Sequence, residues 1–199
     1  MGSASTRHNC FVTARAGVFF LALAAGWGAP TWAQAQATAG GASGLDPLFD
    51  ELADPDGQTW ARAESDIRRA WSHSGSAAMD LLLQRAEAAL DAAEPEVAVG
   101  HLTAVLDHAP DFAAAWAARA NAQAALGRFG PAAADAAQAL SRAPRDWSML
   151  TLLGSMLEDM NRPETALAAF RASDRLHPHQ QDVKDAIRRL ESRDSAEAL

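Results

Sequence analysis

The sequence predicts an all-α fold, a short right-handed solenoid of helical hairpins, on three observations. Rows of like residues recur 34 positions apart: Ala86, Ala120 and Gly154 in one, Ala98, Ala132 and Ala166 in a second. Proline marks a third row (Pro110, Pro144, Pro178) and bulky apolar residues a fourth (Leu82, Trp116, Leu150). A period of 34 with small, small and proline rows marks a helix–turn–helix unit stacked on copies of itself. Apolar residues at three- and four-residue steps outside the lattice, such as Trp60, Ala63, Ile67 and Trp71, add further helices. Such a fold offers a surface rather than a catalytic pocket.

The elements follow in order. Residues 1–35 read as a secretion leader, with Arg7 and Arg15 bracketing a positive segment and an apolar run from Ala16 to Gly26. That run is shorter than the ~20 residues a membrane span needs. Ala33-Gln34-Ala35 fits the small-x-small cleavage rule, and Ala35-Gln36-Ala37 fits it equally well. Residues 36–45 are Gly/Ala/Ser-rich and read as a flexible linker. Residues 46–78 hold a helical pair outside the lattice, a cap or a degenerate repeat, opening with Asp46 as N-cap and Pro47 as first helical residue.

Three repeats fill 79–178, at about 79–112, 113–146 and 147–178. Their second helices open near Pro95, Pro131 and Pro163, each tolerable in a first turn where its missing N–H has no partner to lose. Gly127 and Gly130 supply the middle turn, and Asp111 and Asp146 are expected N-caps of the next first helices. Residues 179–194 form a charged-faced capping helix with Val183, Ala186, Ile187 and Leu190 inward. Residues 195–199 are a frayed tail.

Composition excludes several functions. The chain has 199 residues and a formal charge of −8. Lys184 is its only lysine, and a nucleic-acid binder needs clustered Lys and Arg. Losing Arg7 and Arg15 with the leader leaves 15 basic against 25 acidic residues. Cys10, the only cysteine, lies in the leader, so the mature chain has neither disulfides nor thiol chemistry. An acidic, periplasmic or secreted protein that does not sit in a membrane after cleavage is expected.

The residues resemble the tetratricopeptide repeat family, whose pattern is W-x2-L-G-x2-Y, then A-x3-F, then P. The third repeat matches best, with Leu150, Leu153-Gly154, Leu157, Ala166, Phe170 and Pro178. The middle repeat keeps Trp116, Ala120, Gly127, Ala132 and Pro144 but has Arg119 for Leu and Ala136 for the aromatic. The first keeps Leu82, Ala86, Ala98, Leu102 and Pro110, with Arg85 for Leu. The chain is also loosely similar to small exported repeat proteins of proteobacteria. Small residues at 86, 120 and 154 face Ala98, Ala132 and Ala166 where the two helices of a repeat cross. A larger side chain there overpacks the crossing by ~1–3 kcal/mol.

The resemblance implies a concave groove lined by first helices, receiving Asp80, Leu83 and Glu87, then Ala114, Ala117 and Asn121, then Ser148, Thr151, Ser155 and Glu158. A helix or extended segment with basic or small apolar residues fits that surface, Asn121 bonding its backbone. An unoccupied solvent face is the plain alternative. Some members grip a chaperone carboxylate with Lys, Asn and Arg; here Leu83, Ala118, Ser148 and Leu152 stand at those places, and Asn121 alone is retained.

The remaining constellations are weaker. Arg119 and Asp135 are expected to form a partly buried pair, with ligand binding by Arg119 as the alternative. His177-Pro178-His179 has metal-like spacing without a third ligand and reads as a turn. His73, in Ser72–Ser76, lacks any nucleophile motif around it. No catalytic, cofactor or metal residues are assigned. The expected role is an exported scaffold or adaptor for another protein. The alternatives are a subunit of an envelope assembly, docked through the N-terminal helices around Trp60 and Trp71, and, more remotely, a hydrolase using His73. An exposed Trp60/Trp71 stripe favours the envelope subunit; a stripe packed on Met79, Leu82 and Leu83 favours the free adaptor. The oligomeric state is open.

Overall fold

A computed structural model describes residues 44–197, with side chains through 193. The leader, nearly all of the linker and the last residues of the tail lie outside these. Among the described residues the elements are α1 (Asp46–Ala53), α2 (Trp60–Trp71), α3 (Ala77–Asp91), α4 (Pro95–His108), α5 (Ala113–Ala125), α6 (Phe129–Arg142), α7 (Trp147–Asp159), α8 (Pro163–Leu176) and α9 (Gln181–Glu197). No described helix is long and apolar enough to cross a membrane.

The hairpins α3/α4, α5/α6 and α7/α8 pack internally and stack in order, with α9 on α8. Both small rows are buried, Ala86, Ala98, Ala120, Ala132 and Ala166 completely. Gly154 shows why they are small. A Cβ there would lie 2.7–2.9 Å from the Phe170 ring. The bulky row Leu82, Trp116 and Leu150 is half-buried, and the Trp116 indole donates to the Pro110 carbonyl at 2.7 Å.

The turn inside each hairpin adds another row at the same period. Ala93, Gly127 and Asn161 carry φ of 56°, 70° and 54°. Each is followed by an N–H that reaches back five residues: Glu94 to Ala89, Arg128 to Gln123 and Arg162 to Leu157, at 2.8–2.9 Å. This helix-ending loop needs a left-handed residue, which Gly and Asn adopt cheaply and Ala does not.

Two capping expectations are corrected. Asp111 is fully exposed and sits 3.8 Å from Arg142, while α5 is preceded by Phe112. Asp111 lies one residue before the register of Asp146, so its carboxylate misses the free N–H groups. Asp146 does cap α7, accepting from the N–H of Ser148 and Met149 at 3.0 and 3.2 Å. In α1 the cap position belongs to Leu45, and Asp46, already helical, bonds Arg145 at 2.6 Å instead.

The helical pair α1/α2 does not continue the stack. Its apolar residues Phe49, Leu52, Ala63 and Ile67 form a core with Trp147 of α7, and Leu176 of α8 packs against it. The core of the first two repeats, built on Leu83, Ala86, Leu102, Val105 and Ala118, contains none of them. The Trp60/Trp71 stripe is thus neither free nor on Met79, Leu82 and Leu83. It lies on the third repeat.

Candidate functional site

The first helices α3, α5 and α7 present small residues on one side of the stack because Ala at 114 and 117 and Ser at 148 leave room between helices. A cleft of about 230 Å³ results. Glu87 and Leu90 line it from α3, Ala114, Ala117 and Asn121 from α5, and Ser148 from α7. Arg68, Trp71 and Ser72, from the end of α2, complete the wall.

Five residues of the expected groove therefore meet in one cleft: Glu87, Ala114, Ala117, Asn121 and Ser148. Asn121 is exposed, and the Ser148 hydroxyl is directed at Asp146, 2.6 Å away. Glu87 is exposed in area but lies inside the concavity. The surrounding protein, with Asp91 adding to it, raises its carboxyl above the ordinary value.

The other positions do different work. Leu83 is 1% exposed and belongs to the core, so it offers no surface; a large apolar side chain beside small Ala118 turns into the interface. Asp80 accepts from the Ser74 N–H and hydroxyl at 2.7 and 2.5 Å and lies 3.4 Å from His73. Those bonds, the Ser74 hydroxyl first, lower its pKa. Thr151 bonds Ser173 and Gln180 at 2.8 and 3.3 Å, turned toward α8 and α9. The Ser155 hydroxyl returns to the Thr151 carbonyl, and Glu158 pairs with Arg189 at 2.7 Å. None of these five lines the cleft.

Around His73 the order needed for a nucleophile is not made. Ser74 and His73 both bond Asp80, and the Ser74 hydroxyl is directed to the carboxylate rather than to an imidazole acceptor. Arg119 holds Asp135 through two bonds of 2.8 and 2.9 Å, the expected buried pair, with Trp116 lying 4.8 Å from the guanidinium.

His177 and His179 turn out to be part of the seat of α2. Trp60 stacks on His179 at 4.8 Å with planes 8° apart, and His179 Nε2 donates to the Asp54 carbonyl at 2.8 Å. His177, 3% exposed, sits 3.4 Å from Glu64 and edge-on to Trp147. Among the described residues no group of His, Cys, Asp and Glu could hold a metal ion. The seat was not anticipated from sequence, although one signal was present. Trp147 opens its repeat at a position where the other two carry Met79 and Ala113.

No protein-family model matches the chain. A TPR repeat-containing protein of Rhizobium etli is 26% identical over 149 residues, 73% of this chain and 72% of that protein. Among solved structures, the Arabidopsis OM64 TPR domain is 24% identical at a TM-score of 0.56, covering 58% of this chain and 95% of its own. The fold is that of tetratricopeptide repeats. The Sgt2 TPR domain from Aspergillus fumigatus, 23% identical, matches 60% of this chain and 81% of its own at the same TM-score. So does the first TPR of Spaghetti (RPAP3), bound to an HSP90 peptide, at 16% identity over 59% and 93%. The tetratricopeptide-repeat fold accounts for the lattice, the left-handed turns and the first-helix walls of the cleft.

Proposed function

We propose that the chain is a protein-interaction scaffold that takes a helical or extended segment of another protein in the cleft of its tetratricopeptide repeats. One observation carries this: first helices of three successive repeats contribute to one cleft with small walls, Ala114, Ala117 and Ser148, and an exposed amide, Asn121, among its lining residues. Small walls admit a backbone, and an amide both donates to and accepts from it. The acidic Glu87 on the wall favours a partner with basic residues, chiefly by speeding encounter. Carboxylate capture of the chaperone-tail kind is not part of the proposal. Ala118 is buried, and Leu83 is in the core, so the basic side chains it needs have no counterparts there.

We place the protein in the periplasm or outside the cell, on the leader expected over residues 1–35. Determining the N-terminus of the protein recovered from an envelope fraction tests that. Docking of an envelope subunit through Trp60 and Trp71 has less support, since both rings are engaged inside the molecule.

Crosslinking capture with the unmodified chain and with an Ala117→Arg, Asn121→Arg variant tests the cleft. We expect a partner held by the first and lost, at least tenfold, by the folded variant. Equal capture by both rejects the cleft as the binding surface.

A further inference from the structure

Helix α2 reaches the cleft with its last turn. It starts with Trp60 on His179, passes Glu64 beside His177, and ends with Arg68 and Trp71 5.4 and 5.2 Å from the Trp147 ring. The same Arg68 and Trp71 line the cleft together with Ala117 and Asn121. The Trp147 seat therefore adjoins the cleft, and this chain's own helix covers the seat and supplies a wall of the cleft.

The docking has the marks of an interface rather than of a core. Burial leaves Trp147 Nε1 and His177 Nδ1 without hydrogen bonds, a penalty that undocking relieves. Arg145–Asp46, which joins α1 to the repeats, is an exposed ion pair and adds little. The α1/α2 core shares no residue with those of the first two repeats or of α8 and α9, so its departure leaves them closed. The link to α3 is the short stretch Ser72–Ser76, with Gly75 at φ 84°.

We propose that α1/α2 is a displaceable internal ligand of the repeat surface. The partner it yields to is an amphipathic helix with an arginine and an aromatic residue one turn apart, as Arg68 and Trp71 are. This rests on the cleft proposal for the partner, but displacement itself is measured without one.

The probe is a labelled synthetic peptide of residues 45–74 added to the full chain. We expect at least tenfold tighter binding to a Trp60→Ala, Ile67→Asp variant than to the unmodified chain, whose surface is already covered. Adding Ala117→Arg removes that gain. No gain in a variant whose α5–α8 amides stay protected overturns the proposal, as does loss of that protection when α1/α2 is loosened. Hydrogen exchange of the unmodified chain is an independent check: residues 46–71 are expected to exchange well ahead of α5–α8, and exchange in step rejects displacement. A failed partner capture and a failed displacement are thus separate results.

Discussion

Ala93 holds a left-handed turn that its counterparts fill with Gly127 and Asn161, at φ of 56° against 70° and 54°. A left-handed L-residue with a Cβ costs about 1–2 kcal/mol, part of which glycine returns as unfolded-chain entropy. Ala93→Gly is therefore expected to raise stability by about 0.5–1 kcal/mol, read from the urea midpoint. Gly154→Ala has the opposite sign. Alanine in a helix ordinarily gains about 1 kcal/mol over glycine, but here the new methyl meets a ring at 2.7 Å. Overpacking outweighs propensity, and a loss of about 1–3 kcal/mol is expected from the same titration. Arg119 and Asp135 form the third test at this scale. Arg119→Met leaves a carboxylate 6% exposed with neither of its two guanidinium bonds, for a loss of about 3 kcal/mol. Adding Asp135→Leu should recover most of it, because the orphaned charge goes with its partner.

At the scale of the element, the junction of α2 with the third repeat responds to pH through His177. Burial holds His177 below its ordinary value of 6.5; Glu64 of α2 opposes this, and His179 and Arg68 add to the lowering. The rings of Trp60 and Trp147 complete its surroundings. The undocked imidazole binds a proton more readily, so the proton favours undocking. Docking is at full strength above about pH 6.5 and weakens as the pH falls through the lowered folded value. Protection of the 46–71 amides, taken relative to their intrinsic exchange rates, is expected to fall on acidification while that of α5–α8 is kept, and His177→Leu should flatten that response. Protection that does not change with pH in the unmodified chain contradicts it.

Across the whole molecule, each repeat touches mainly its neighbours, so stability accumulates along the stack while α1/α2 folds back against that order. The rows at 86, 98 and 110 and their counterparts were legible because one helix crossing, repeated, admits only small residues. Arg119 with Asp135 was legible because a charge inside a repeat needs an acid across the crossing. The cleft was read in part. Ala117, Asn121 and Ser148 keep the register of first helices, whereas Leu83 and Thr151 share that register and turn into the packing. Register gives a direction around the helix axis within about one residue, and the neighbours settle the rest.

The sequence by itself determined the helices, their period and the stacking of three hairpins, because those depend on spacing within about 34 residues and on which side chains fit between close backbones. Only the tertiary structure decided where α1/α2 goes. Its Trp60–Ala63–Ile67–Trp71 stripe says that it must bury one face, and says nothing of which surface receives it. Trp147, Leu176, His177 and His179 receive it, more than 70 residues away along the chain. Hydrophobic burial is non-directional, so the choice falls to shape and partner groups that come together only when the repeats have stacked.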